Sequence, residues 1–147
     1  MTPGDLEKLK RLIAFRERQR DRAVADMEEA HRQENEALEQ RNEAEQTLNE
    51  ELQIFRDAVG ETVNPLDLEL AVECAKWAQI SLQKKEKNLI QKHQQTDIQR
   101  DKLLESHKKV KQMETLHKQR KQEKQREEQH AQQAELDDLA AIREVHQ

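Results

Sequence analysis

The sequence predicts an all-α fold in which two long antiparallel helices form a coiled-coil hairpin, the second helix longer than the first. Three observations carry this expectation. Of 147 residues, 39% are charged, 33% hydrophobic and 2% aromatic, against roughly 45–50% apolar and about 25% charged in an ordinary globular domain. The good helix formers Glu, Lys, Arg, Gln, Ala and Leu dominate. Finally, the two prolines stand in matching contexts, each reading as the start of a helix.

Those two starts are Thr2-Pro3-Gly4-Asp5 and Asn64-Pro65-Leu66-Asp67. Each offers a polar cap, a proline whose missing N–H costs nothing in the first turn, and an aspartate that complements the positive helix end. Gly60 follows the run ending at Val59 and reads as a left-handed helix stop. A single hairpin is therefore expected: helix 5–59, turn 60–64 and helix 65–145.

The first helix carries a heptad. Its a positions are Leu6, Ile13, Arg20, Met27, Glu34, Arg41, Leu48 and Phe55, and its d positions are Leu9, Arg16, Ala23, Ala30, Ala37, Ala44, Glu51 and Ala58. Eleven of these 16 positions are apolar, twice what the 33% average would place there, so they form a seam. Alanine at four successive d positions lets two helices approach closely but buries little area, so the middle of the hairpin should be only modestly stable. In the second helix Leu82, Leu89, Thr96, Leu103 and Val110 recur every seven residues behind Ala75 and Ala78. Glu86, His93, Arg100 and His107 are read as the alternate positions.

Folding back through the turn would set residue i opposite roughly residue 124 − i. Charge supports that pairing. Residues 28–51 hold nine acids and two bases, and their expected neighbours 74–97 hold five lysines and two acids. The first helix then runs out near residue 119, leaving 120–147 as an unpaired overhang of about 40 Å.

Three regions stand out as surfaces for partners. Around the turn, residues 66–80 are apolar nearly all round, which two helices alone cannot bury; a local mini-core and a docking patch are both consistent with that. At the open end, residues 8–22 hold seven bases against two acids and residues 107–126 eight against two. These stretches are expected neighbours that repel, so an acidic partner would compensate them, although a solvated charged face is the plainer account. The chain closes on a short amphipathic stripe, Ala134, Leu136, Leu139, Ala140, Ile142 and Val145, within a segment of six acids and one arginine. This reads as a frayed terminal helix or as a stripe awaiting a groove.

Catalytic chemistry is not legible. There is no Gly-rich phosphate loop, HExxH or CxxC. His93, His107 and His117 are spaced too far apart on one helix to share a metal, and His130 and His146 lie about 24 Å apart. We expect no enzyme, no cofactor and no metal. Cys74 stands alone, so no intrachain disulfide is expected. No apolar run approaches the roughly 20 residues of a membrane span. No aromatic platform accompanies the basic stretches, which argues against nucleic acid.

The plan resembles that of the flagellar FliJ and type III secretion YscO/HrpO stalk proteins. The resemblance is carried by LEKLKRLIAFRERQRDRA at 6–23, by TVNPLDLELA at 62–71, and by RDKLLESHKKVKQMETLHKQRKQEKQREEQ at 100–129 running into AELDDLAAIR at 134–143. It implies a monomeric cytoplasmic stalk, peripherally associated with a membrane-bound secretion apparatus and without direct membrane insertion. Its implied partners are the type III export ATPase, the export gate protein and export chaperones. On that resemblance Lys8, Lys10, Arg11, Arg16, Arg18, Lys108, Lys109 and Lys111 would face the ATPase, and Leu52, Phe55, Leu70 and Trp77 at the turn would face the gate. The alternative is a generic homodimeric coiled-coil scaffold or tether.

Overall fold

Two helices account for the secondary structure of the described residues. The computed structural model describes residues 3–60 and 64–146. Helix α1 spans Pro3–Gly60 (58 residues) and helix α2 spans Pro65–Val145 (81 residues). They pack against each other as an all-α hairpin with the longer helix second.

The start of α2 follows from its cap. Asn64 Oδ1 accepts the Leu66 amide at 3.2 Å, and the Asn64 carbonyl accepts those of Asp67 at 3.0 Å and Leu68 at 3.3 Å. Pro65 occupies the first position, where no N–H is needed, and Asp67 lies in the first turn. The corresponding cap expected from Thr2, and residues 61–63 of the turn, lie outside the described residues. Gly60 corrects one expectation: it is the last residue of α1, and no described glycine has a positive φ. Glycine is compatible with a right-handed turn as well as a left-handed one, and here it belongs to the helix.

All 16 seam positions read in α1, from Leu6 to Ala58, are buried or half-buried. In α2 the alternate positions differ from the reading above. Lys85, Lys92, Gln99, Ser106 and Met113 are half-buried; of the four residues read there only Glu86 is half-buried, whereas His93, Arg100 and His107 are exposed. The seam step is therefore three residues after Leu82, Leu89, Thr96, Leu103 and Val110, not four. Ala75 and Ala78 already have that spacing, and both face inward. Lysine fits such a position because its aliphatic stem lies along apolar surface while the ammonium reaches water.

The chain divides into two compact units. One, the turn unit, is Ala23–Leu103; the other, the terminal unit, joins Met1–Arg22 to Leu104–Gln147. In the turn unit Lys85 Nζ donates to Gln40 Oε1 at 3.4 Å, Lys92 Nζ donates to Gln33 Oε1 at 3.2 Å, and Arg41 Nη2 lies 3.5 Å from Glu86 Oε1. These contacts set residue i opposite about residue 126 − i, two residues beyond the register expected from the turn length. Thr96 is the most enclosed of the described residues, 1% exposed. Its hydroxyl lies 3.0 Å from the Lys92 carbonyl and 3.4 Å from the Ala30 carbonyl of the other helix. In the terminal unit Leu9, Leu12 and Leu116 line one groove between the helices. Lys124 is the last half-buried residue, and every described residue after it is exposed.

The seam makes opposite demands at Ala37 and Lys92. Ala37 is 3% exposed, so Ala37→Leu overfills a close contact and should lower stability by about 1–3 kcal/mol. Lys92→Leu replaces a half-buried, partly apolar stem by a wholly apolar side chain and should raise stability by about 1 kcal/mol. Urea titration followed by circular dichroism measures both, and opposite signs are expected.

Candidate functional site

The terminal unit carries all eight of the expected basic residues, but it does not gather them into one patch. Lys8 lines a 360 Å³ groove with Asp5, Leu9, Leu12, Leu116 and Arg120. Lys108 and Lys111 line a second groove of 440 Å³ with Gln112, Thr115, Leu116 and Gln119. Leu116 is common to both, so these three lysines flank one apolar centre. Arg11 and Arg18, seven residues apart and two beyond the d positions, sit on the outer face of α1 and are exposed. Lys109 is exposed beside buried Val110.

Two of the eight have other roles. Lys10 Nζ lies 3.6 Å from Glu7 on the same helix. Arg16 occupies a seam position, half-buried: its Nη1 donates to Gln19 Oε1 at 3.1 Å, and its guanidinium lies 5.9 Å from the Phe15 ring centre. The Arg16 Nε is buried without a hydrogen-bond partner among the described residues. Lys8, Arg11, Arg18, Lys108, Lys109 and Lys111 make no ion pair with any described residue. Their charge is uncompensated, as expected where two basic stretches are neighbours. Sequence reasoning passed over Phe15, 45% exposed amid these bases, and Leu116. The signal for Leu116 was present in the spacing of Leu9 and Leu12 on the facing helix.

The turn unit divides the four expected apolar residues in two. Leu52 and Phe55 are half-buried along the α1 seam. Leu70 and Trp77 point away from α1, 64% and 68% exposed. Leu66 and Ile80, also exposed, extend them into a stripe with steps of four, seven and three residues. Such steps keep one helix face over about 21 Å. The inward side of the same turns is filled by Leu68, Ala71, Ala75 and Ala78. Residues 66–80 thus form both a small core and a bare apolar face.

Farther from the turn the same unit holds a polar cluster. Glu34, at a seam position, approaches His93 Nδ1 at 2.7 Å, while His93 Nε2 lies 3.6 Å from Asp97. The His93 contact, followed by the Thr96 hydroxyl, holds the Glu34 carboxyl below its ordinary range. In turn the Glu34 hydrogen bond and the charge of Asp97 raise the His93 pKa. Beside them lies a groove of 500 Å³ lined by Glu34, Asn35, Leu38, Leu89, Ile90, His93 and Gln94. Leu38 and Ile90 there are 44% and 57% exposed.

These surfaces suit docking. Among the described residues no group of three His, Cys, Asp or Glu side chains is placed to hold a metal. No helix among the described residues is long and apolar enough to cross a membrane.

A family model described as "Flagellar FliJ protein" matches residues 6–147. Comparison with curated proteins and with solved structures returned no match.

The Glu34–His93 contact fixes a pH dependence. Glu34 titrates below its ordinary 4.5, so its contribution to folding is complete above that value and is lost as pH falls through the lowered one. His93 titrates above its ordinary 6.5, so its contribution is complete below 6.5 and is lost as pH rises through the raised value. The urea midpoint should therefore be highest between about pH 4.5 and 6.5 from this pair and decline above it. In His93→Gln the decline above that window should flatten.

Proposed function

This chain belongs to the flagellar FliJ family, and from that premise we propose that it is the stalk that binds the export ATPase and couples it, with export chaperones, to the export gate. Family membership makes it a coiled-coil component of flagellar or related type III export, and the family is a non-enzymatic one. The finer assignment rests on the surfaces. Uncompensated Lys8, Lys108 and Lys111 around Leu116 are the observation that carries it: an acidic partner with one apolar contact satisfies both charge and groove. Arg11, Arg18 and Lys109 extend the field that would steer such a partner.

The outer stripe Leu66, Leu70, Trp77 and Ile80 supports the gate contact. An exposed aromatic flanked by aliphatics on a rigid helix is the composition of an interface anchor. Leu52 and Phe55 contribute by fixing the helix beneath that stripe. The chaperone role follows from the family alone. We place the chain in the cytoplasm, held at the membrane-bound apparatus by its partners. The half-buried or buried state of every α1 seam position favours a stalk over a parallel homodimer, because α2 already occupies the seam a second α1 would need.

Two experiments separate the surfaces. Lys8→Glu, Arg11→Glu, Lys108→Glu and Lys111→Glu together should weaken capture by the export ATPase at least tenfold, about 1.4 kcal/mol, with helicity unchanged. Undiminished capture would remove the basic surface from the proposal. Leu70→Ala with Trp77→Ala, both at exposed positions, should lower secretion while ATPase capture persists. Normal secretion by that variant removes the stripe.

A further inference from the structure

We infer that the free protein self-associates reciprocally, the C-terminal segment of one copy docking on the basic grooves of a second. This goes beyond the stalk reading and does not depend on it.

The C-terminal segment lacks a partner in its own chain. Leu136, Leu139, Ile142 and Val145 are 60%, 57%, 54% and 81% exposed. At 3.6 residues per turn Leu136, Leu139 and Ile142 lie within about 120° of the helix circumference, and Val145 turns about 60° further. The segment 127–147 adds six acids and a single arginine. An acidic segment with an apolar stripe is complementary to an apolar groove rimmed by bases. The same unit supplies such grooves at Leu9, Leu12 and Leu116 with Lys8, Lys108 and Lys111.

The segment cannot reach those grooves within one chain. Helix α2 is continuous through Val145 and contains no Gly, and no Pro after its first residue. Reversal would require breaking a helix that nothing in the sequence interrupts. A second copy needs no such break. If the two α2 helices run antiparallel and are centred near Gln125, Leu139 and Ile142 of one copy lie beside the turns of Lys111 and Lys108 of the other. A two-fold axis repeats the contact, as an isologous interface requires. Pairing of the two C-terminal segments with each other would set six acids against six and is disfavoured.

Equilibrium sedimentation of the full chain tests this with a charge swap. At about 0.1 M salt the wild type should show a monomer–dimer equilibrium that weakens toward 1 M, where charges are screened within about 3 Å. Asp137→Lys with Asp138→Lys, and separately Lys108→Glu with Lys111→Glu, should each raise the dissociation constant on the order of tenfold. An equimolar mixture of the two variants should recover the dimer, because both reciprocal contacts are then attractive again. Recovery also shows that both variants are folded. A wild type that stays monomeric at every concentration overturns the inference. So does a dimer that survives either reversal, or a mixture that fails to pair while helicity is retained.

Discussion

Close approach of the helices through small residues is the constraint on which the rest depends. Among the described residues the buried apolar ones are Ala23, Ala37, Ala71, Ala78 and Val110: four alanines and a valine. Alanine allows Thr96 to reach the Ala30 carbonyl across the seam at 3.4 Å. It also means that the core uses few of the large apolar side chains. At roughly 25 cal/mol per Å² of apolar surface, alanines contribute little burial energy. Leu70, Trp77, Ile90 and Leu139 consequently remain exposed. A seam of small residues thus brings the helices close and leaves these bulky residues exposed.

The α1 half of this arrangement was legible because its heptad is dense: apolar residues mark 11 of 16 positions, so the polar ones fall into place by counting. In α2 the marks are sparse. Lys85 and Lys92 look like solvent residues by type, and only the Ala75–Ala78 step indicates that they line the seam. The same ambiguity affected the site. A residue's apolar character does not reveal whether it fills a seam or faces out, and only the heptad phase separates Phe55 from Trp77. Gly60 was misread for a related reason, since a glycine permits a left-handed stop without requiring one. The basic surface was legible as a charge imbalance, but its organisation around Leu116 needed both helices in register.

Charge guides the pairing more by balance than by direct bridges. Acids dominate residues 28–51 and lysines 74–97, yet Lys85 and Lys92 donate to glutamines across the seam. The strongest pairs are within one helix: Arg32 bridges Glu29 and Glu36 at 2.5 and 2.6 Å, and its hydrogen bond lowers the Glu29 pKa to about 2. Exposed pairs of this kind add little stability each. Their value is to keep α1 helical and to leave the opposing fields to fix which stretch meets which. In the turn unit the direct cross-helix contacts of charge include Arg41 with Glu86 and His93 with Glu34.

The terminal unit reverses that logic. There both helices present bases, so their mutual field opposes the pairing that Leu9, Leu12 and Val110 support. A hairpin serving only as a spacer would gain stability from acids on one side, as residues 28–51 demonstrate for the turn unit. Uncompensated Lys8, Lys108 and Lys111 are therefore not explained by folding. On the proposed reading an acidic ligand would account for them, and its binding would remove the repulsion as well as add contacts, coupling partner capture to hairpin closure. The chain's own acidic C-terminal segment, barred from its own grooves by a continuous helix, meets the same chemical requirement. An external acidic partner and a second copy would then contend for one surface, and the occupant with more apolar area to offer Leu116 would prevail.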